Sequence, residues 1–297
     1  MIVHLLDGTY ELFRHFYGIR RAKQGDPPFG AVRGVLHLVL QMIETGATHL
    51  GVATDHVIES FRNRLWAGYK TGAGVEPALR AQFHPLEEAL FAMGVVVWPM
   101  VELEADDALA SAAALAAADP EVTRVCIWTP DKDLAQCVVE DRVVQVDRKS
   151  GKIRDAAGVR QKFGVPPESI PDYLALVGDA ADGFPGIPGF GAKSAAAVLA
   201  RYGHIESIPG DSAQWRADVR NSGGLAGALT SQRERAMLFR KLATLRTDEP
   251  LFDDVETLRW RGPTELFGAY ARHINAPELI ERAERAASLV GKTNAEP

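Results

Sequence analysis

Acidic residues follow the apolar, strand-like segments of this chain, and this pattern limits the possible folds more than any other feature. Apolar runs at 2–6, 49–54, 95–98 and 124–129 are each followed by carboxylates, and a further acidic pair comes later. Ligands of an open parallel α/β sheet bind at the carboxyl ends of its strands, so we expect these acids to converge at one edge. The nine acids are Asp7, Asp55, Glu104, Asp106, Asp107, Asp131, Asp133, Asp179 and Asp182.

So many like charges in one place are stable only if cations neutralise them. The ligands in this set are all oxygens, and the eight histidines show none of the spacings typical of a zinc site. Carboxylate oxygens favour Mg²⁺ or Mn²⁺. A pair of such ions is a common device for cutting phosphodiesters, so we predict two per active site.

Each acidic cluster also has a plainer interpretation when it is taken alone. Asp7 or Asp55 could cap the helix that follows its strand, and Asp131 and Asp133 could begin an ordinary charged helix. On an ideal helix Glu104 and Asp107 would share a face while Asp106 would not, so their convergence requires an irregular first turn. These interpretations do not explain why so many strands end in an acid.

The order of apolar runs and helical patterns indicates an α/β fold, with a mostly parallel sheet and helices on both faces. We predict an α/β nuclease domain over residues 1–175 and a helical lobe over 176–297. Segment 68–82, GYKTGAGVEPALRAQ, interrupts the pattern and is interpreted as a flexible excursion above the sheet edge or as a plain surface loop. From about residue 166 onward the strand signals stop, and helices are predicted at 168–177, 191–202, 228–244 and 276–290.

A turn rich in glycine and proline, GFPGIPGFGAK at 183–193, leads into the second of these helices. Its backbone N–H groups around Gly186, Gly189 and Gly191, together with the side chain of Lys193, could bind a phosphate. This is the logic of a helix-hairpin-helix, which binds DNA backbone without reading its sequence. A connector between packed helices is the alternative.

The net charge of −6 does not exclude a polyanionic partner. With the nine site acids set aside, 39 − 9 leaves 30 acids against 33 basic residues, a balance of +3. No apolar run reaches the ~18 residues that a membrane span needs, so no membrane partner is expected. The start MIVHLLDG lacks the features of a signal peptide, so we expect a cytoplasmic protein. Cys126 lies in an apolar run, and we expect its thiol to be buried and reduced. We also expect a monomer.

Because it has both the acidic clusters and the turn rich in glycine and proline, the chain resembles the 5′-nuclease family. That family includes phage 5′-exonucleases, flap endonucleases and the N-terminal domain of bacterial DNA polymerase I. The matching strings occur in the family's order and cover most of residues 1–203. They are LLDGTYELFR (5–14), ATDHVIESFRNRLWAGYK (53–70), LEADD (103–107), TPDKDL (129–134) and LVGDAADGFPGIPGFGAKSA (176–195).

The resemblance implies a role for each matched residue. Asp7, Asp55, Glu104, Asp106 and Asp107 would hold the first metal, and Asp131, Asp133, Asp179 and Asp182 the second. Lys70 would contact the scissile phosphate at the base of the helical arch, and Arg14 would face the substrate's phosphates. The hairpin from Gly186 to Lys193 would bind duplex backbone, at a place where the family often holds K⁺.

This chain departs from the family pattern in several places. GDAADG stands where the family usually has GDxSDN, so Ala181 and Gly183 replace a hydroxyl and an amide. The segment TGAGVEPAL lacks the basic residue that many relatives carry there, and Arg80 is the nearest substitute. No polymerase domain follows, and a free-standing nuclease is therefore expected.

The predicted function is that of a structure-specific 5′-3′ exonuclease or flap endonuclease. It would act on DNA flaps, nicks or 5′ ends and leave 5′-phosphates. A DNA-structure-binding protein with little catalysis and a PIN-type ribonuclease are the alternatives. The hairpin argues against the latter, since that family generally lacks it.

Overall fold

The computed structural model describes residues 1–21 and 27–293 and divides the chain into two compact units. Unit 1 comprises Met1–Ile58, Gly72–Thr129 and Thr247–Pro297, and unit 2 comprises Glu59–Thr71 and Pro130–Arg246. In chain order the elements are β1 (Ile2–Asp7), α1 (Gly8–Arg21), α2 (Gly30–Glu44), β2 (His49–Asp55), α3 (Phe61–Leu65), α4 (Pro77–Arg80), α5 (Phe83–Ala92), β3 (Val96–Met100), α6 (Ala105–Ala118), β4 (Arg124–Trp128), β5 (Val143–Asp147), β6 (Lys152–Arg154), α7 (Ala156–Phe163), α8 (Ile170–Val177), α9 (Ala192–Tyr202), α10 (Ser222–Ser231), α11 (Arg233–Ala243), α12 (Phe267–His273) and α13 (Glu278–Thr293).

Unit 1 contains four parallel strands in the order β3-β2-β1-β4. The central strands β1 and β2 are largely buried on both faces, as their continuous apolar runs predict. The parallel sheet brings Asp7 and Asp55 to the carboxyl ends of β1 and β2. The predicted fold class is therefore confirmed, and the strand pattern positions the first acids.

The C-terminal segment 247–293 belongs to unit 1, which differs from the division predicted at 175/176. Trp260 is fully buried, and its indole N–H donates to the carbonyl of Met93 at 2.8 Å. Phe267 and Leu279 join the same apolar core as α2 and α5. Burial of these side chains assigns the segment to unit 1, and a helical pattern alone does not indicate which core a helix covers.

Unit 2 is built around α8, which packs against α9 and α11, and it also contains the antiparallel pair β5–β6. Arg62 of α3 is fully buried, and its guanidinium donates to the carbonyl groups of Leu242 and Thr244 at 2.8 and 3.2 Å. The single helix predicted over 228–244 was wrong, because Gln232 separates α10 from α11. Helix α12 was not predicted.

Segment 68–82 is only partly an excursion. Its last part forms α4, where Leu79 is fully buried. The side-chain carbonyl of the buried Gln82 accepts the backbone N–H groups of Ala31 and Val32 at 3.0 and 3.3 Å, at the start of α2. Residues 77–82 are therefore packed in unit 1, and the predicted excursion does not extend to them.

Within the described ranges, every helix is too short or too polar to cross a lipid bilayer.

Candidate metal centre

Three buried carboxylates of unit 2 meet at one point. Asp133, Asp179 and Asp182 each offer a carboxylate oxygen that lies within 4.8 Å of the others. Asp133 begins a 3₁₀ turn, and Asp179 and Asp182 lie in the turn that follows α8. The backbone N–H of Asp179 donates to the carbonyl of Phe184 at 2.8 Å, which closes this turn. This local backbone hydrogen bond holds Asp179 and Asp182 in one turn.

Asp133 has the environment that most favours a cation. Its Oδ1 is buried and accepts no hydrogen bond from the described residues. Burial is the largest cause that raises the pKa of Asp133 well above its ordinary value of 3.8, and the neighbouring carboxylates raise it further, Asp131 most among them. An uncompensated buried carboxylate of this kind is costly, and a divalent cation with oxygen ligands would remove the cost. The donor set therefore fits Mg²⁺ or Mn²⁺.

Two lysine ammonium groups lie against this cluster. Lys132 Nζ is 2.5 Å from Asp179 Oδ2, and Lys70 Nζ is 3.1 Å from Asp182 Oδ1. Burial lowers the pKa of Lys132, but the hydrogen bond to Asp179 and the charges of neighbouring carboxylates outweigh it, so the net shift is upward. Sequence reasoning assigned no role to Lys132, although its position between Asp131 and Asp133 was a signal.

Asp131 lies beside the cluster and is exposed. Its Oδ1 accepts the backbone N–H of Asp133 at 3.0 Å, and its carbonyl accepts from the Gln145 side chain at 2.6 Å. Asp131 therefore shapes the turn that carries Asp133, and it is not one of the three residues whose oxygens converge.

The acids of unit 1 are bound by donors of their own unit. Asp7 Oδ1 accepts the backbone N–H of Tyr10 at 2.8 Å, and its Oδ2 accepts the Thr129 hydroxyl at 3.1 Å. Asp55 Oδ1 accepts the backbone N–H of Ala105 at 2.8 Å, at the start of α6. The capping interpretation of Asp7 thus describes a real contact, and both carboxylates lie at the strand ends where the sequence predicted them.

Three acids lie around the start of α6. Glu104 is extended and precedes the helix, and its backbone N–H donates to Asp107 Oδ2 at 3.0 Å. Both side chains are buried, whereas Asp106 is half-buried. Glu104 and Asp107 therefore lie together, as their spacing of three residues predicts, and Asp106 lies apart from them at the start of a regular α6. Among the described residues, no three acids of unit 1 bring their oxygens within 4.8 Å.

The predicted basic residues have different surroundings. Arg14 pairs with the fully buried Glu11, its Nε and Nη2 lying 2.7 and 2.5 Å from Glu11 Oε2. Sequence reasoning did not identify Glu11, although it lies three residues before Arg14 on α1. Arg80 is exposed in the last turn of α4.

The glycine-rich hairpin is tightly packed. Gly186 has φ 72°, and a Cβ there would lie 2.4 Å from the backbone nitrogen of Gly178. Gly189 is also left-handed, at φ 88°. Gly191 caps α9, where its N–H donates to Ser194 Oγ at 3.0 Å, and Lys193 is exposed in the first turn.

Gly183, a departure from the family pattern, has a packing reason. Its φ is 82°, and a Cβ there would lie 2.0 Å from the carbonyl oxygen of Gly68. Its own carbonyl accepts the indole N–H of Trp66 at 3.0 Å. An asparagine could adopt this φ but would not fit beside Gly68. The departure thus accompanies a close approach of two glycines.

Comparison with known proteins gives a family for this arrangement. The model of the 5′-3′ exonuclease N-terminal, resolvase-like domain matches residues 2–164, and that of the 5′-3′ exonuclease C-terminal SAM fold matches residues 165–265. The chain belongs to the 5′-3′ exonuclease family. The recognition made from the five motifs is therefore confirmed.

Curated relatives agree with this family. A 5′-3′ exonuclease of Aquifex aeolicus is 33% identical over 69% of this chain and 71% of its own length. The 5′-3′ exonuclease of Buchnera aphidicola subsp. Acyrthosiphon pisum is 28% identical over 84% of this chain and 88% of its own. DNA polymerase I of Pseudomonas aeruginosa is 35% identical over 86% of this chain, which spans only 28% of that protein.

Solved structures share the fold at low sequence identity. The bacteriophage T5 flap endonuclease, in a complex with DNA and metal ions, matches with a TM-score of 0.66 at 18% identity, covering 96% of this chain and 100% of that one. The catalytic core of Rad2 in complex with DNA substrate matches with a TM-score of 0.61 at 15% identity, over 95% and 91% of the two chains. These similarities confirm the fold, an α/β domain with a helical lobe.

Proposed function

We propose that this chain is a metal-dependent 5′-3′ exonuclease and flap endonuclease that hydrolyses DNA phosphodiesters and leaves 5′-phosphates. Its substrates would be DNA flaps, nicks and 5′ ends, and it would act as a cytoplasmic monomer. The observation that carries the proposal is the buried cluster of Asp133, Asp179 and Asp182, with an unpartnered oxygen on Asp133. Membership of the 5′-3′ exonuclease family supports it.

The proposed ligands fall into one group in each unit. In unit 2, Asp133, Asp179 and Asp182 would hold one Mg²⁺ or Mn²⁺, with Asp131 shaping the turn beside them. In unit 1, Asp7, Asp55, Glu104, Asp106 and Asp107 would hold the other, directly or through water. The bound ions would supply Lewis-acid stabilisation of an attacking water and of the leaving 3′-oxygen.

The lysines would stabilise negative charge on the phosphate oxygens. Lys70 is well positioned, since its backbone N–H donates to the carbonyl of Asp182 at 3.0 Å and its carbonyl accepts from the Asn63 side chain at 2.9 Å. In this structure the Lys70 ammonium forms an ion pair with the Asp182 carboxylate, and the Lys132 ammonium forms one with Asp179. A bound cation would neutralise Asp179 and Asp182 and so weaken both ion pairs. The two ammonium groups could then turn to the phosphate of the substrate.

The remaining predicted residues would bind DNA away from the reacting bond. Gly186, Gly189, Gly191 and Lys193 would bind duplex backbone, with K⁺ as a further ligand of the hairpin. Arg80 would contact a 5′ single strand. Arg14 would reach a phosphate only by exchanging its bond to the buried Glu11.

The decisive experiment uses a 5′-flap DNA labelled at either end, with Mg²⁺, with Mn²⁺ and with EDTA. We expect metal-dependent cuts near the junction of single strand and duplex, and no cuts after Asp182→Asn substitution. Binding without cleavage in either metal would favour the DNA-structure-binding alternative. Faster cleavage of a matched RNA flap would favour the ribonuclease.

A further inference from the structure

A pocket of about 520 Å³ lies at the carboxyl end of α9, within unit 2. Its lining includes Arg201, Tyr202, Trp215 and Arg216. The volume falls in the range of sites that bind small organic ligands, about 300–1,000 Å³. None of these residues belongs to the acidic cluster or to the hairpin.

Hydrogen bonds fix the wall of this pocket. The Tyr202 hydroxyl accepts the backbone N–H of Arg216 at 2.9 Å and donates to the carbonyl of Gln214 at 3.2 Å. The indole N–H of Trp215 donates to the carbonyl of Pro209 at 2.7 Å, which orients the ring. The pocket is therefore formed before any ligand arrives.

The two arginines have the surroundings of an anion site. Both are exposed, and in the part of the chain that the structure describes neither guanidinium has a carboxylate within 4.0 Å. Two acids close to them in sequence make other contacts: Glu206 pairs with Arg240 at 2.5 Å, and Asp211 accepts the N–H of Ala213 at 2.9 Å. A guanidinium without a protein partner is well suited to a phosphate.

The aromatic side chains suit a nucleobase. Trp215 and Tyr202 are half-buried, so each ring packs on the protein and also reaches the pocket. Aromatic rings bind unpaired bases by stacking, with little sequence preference. A phosphate held by arginines beside a stacked base is the pattern of a nucleotide of a single strand.

We propose that this pocket binds one unstacked nucleotide of a single DNA strand. Arg201 and Arg216 bind its phosphates, and Trp215 stacks on its base. The eleven residues of α9 separate the pocket from the hairpin by roughly 16 Å, so this is a second DNA contact. The inference rests on the proposed function only in taking DNA as the ligand.

The test measures strand binding with the full chain in EDTA, so that cleavage plays no part. Fluorescence anisotropy would follow a labelled dT dodecamer at several salt concentrations. For the double variant Arg201→Ala/Arg216→Ala we expect about tenfold weaker binding. We also expect a salt dependence of log K that is shallower by about 1.4, since each of the two phosphate contacts on a single strand contributes about 0.7. Arg160→Ala removes an exposed arginine outside the pocket and serves as the control.

A second variant tests the base contact. The wild type should bind the dT dodecamer several-fold more tightly than an abasic dodecamer with the same phosphates, and Trp215→Leu should remove this preference. Circular dichroism checks the fold of the Trp215→Leu variant. If that variant does not fold, the strand affinity of the Arg201→Ala/Arg216→Ala variant remains the test, because both arginines are exposed.

The outcomes are distinct from those of the cleavage assay. Unchanged affinity and salt slope in the arginine variant overturn the proposal, even if the protein cuts flaps. Binding of free 5′-dTMP that those substitutions abolish, with strand binding unchanged, also overturns it, because the pocket would then take a mononucleotide.

Discussion

The acids of unit 1 and those of unit 2 share a chemistry but not an environment. Asp7, Asp55 and Asp107 each accept a hydrogen bond from a backbone N–H, at 2.8, 2.8 and 3.0 Å. Asp133 Oδ1 accepts none from the described residues, and lysine ammonium groups lie 2.5 and 3.1 Å from Asp179 and Asp182. A backbone donor stabilises the charged form of a carboxylate, and a cation would do the same for the buried Oδ1 of Asp133. The comparison teaches that acids that look alike in sequence can serve both structure and ion binding.

The largest effect is expected from Asp133→Asn. Loss of the central ligand should lower the flap-cleavage rate by at least about 10³-fold, since metal stabilisation contributes several kcal/mol to such reactions. Thermal unfolding in EDTA should show no loss of stability. In EDTA no cation compensates the buried carboxylate, and the substitution removes that carboxylate. Turnover close to wild type would remove Asp133 from the site.

Gly183→Ala tests how strictly the turn positions Asp182. The left-handed φ and the 2.0 Å approach to Gly68 predict a loss of about 3 kcal/mol in the free energy of unfolding. Gly74→Ala is the matched control, because its φ is 92° but nothing lies within 4 Å of the added carbon. Its cost should be about 1 kcal/mol. If a denaturant titration shows that both variants lose the same free energy of unfolding, the backbone around Gly68 and Gly183 has moved apart to accept the added carbon.

Asp7→Ala should contrast with Asp133→Asn in metal-free protein. Asp7 caps the start of α1 and accepts from Thr129, so its removal should cost about 1 kcal/mol of stability. Denaturant unfolding in EDTA would measure both variants side by side. If Asp7→Ala is as stable as the wild type, the distinction between the two groups of acids fails.

The dependence of stability on pH should sharpen the same distinction. The pKa of Asp133 is raised in the folded protein, so the folded state binds more protons than the unfolded state above pH 3.8. This contribution to stability is therefore lost as pH rises from about 3.8 through the raised pKa, and it stays lost above it. Unfolding measured in EDTA across this window should show the decline in wild type and a smaller decline in Asp133→Asn. Saturating Mg²⁺ should offset it, and identical profiles for the two proteins would contradict the assignment.

Most of the site could be predicted because its residues lie close together in sequence or at strand ends. The acids of TPDKDL and GDAADG were identified from their motifs, and those at the ends of β1 and β2 from the strand pattern. Contacts between distant segments could not be predicted in this way. The pairing of Lys132 with Asp179 and the approach of Gly68 to Gly183 join residues 47 and 115 apart, from the differences 179 − 132 and 183 − 68.

By itself, the sequence determined the four parallel strands, most of the helices, the family and the acids that end the strands, because these follow from local periodicity and motif spacing. Only the tertiary structure decided which carboxylates converge, that Lys132 pairs with Asp179, and that residues 247–293 complete the core of unit 1. It alone formed the pocket beside Trp215. The physical reason is that burial and charge pairing depend on neighbours in space, which a linear pattern does not specify.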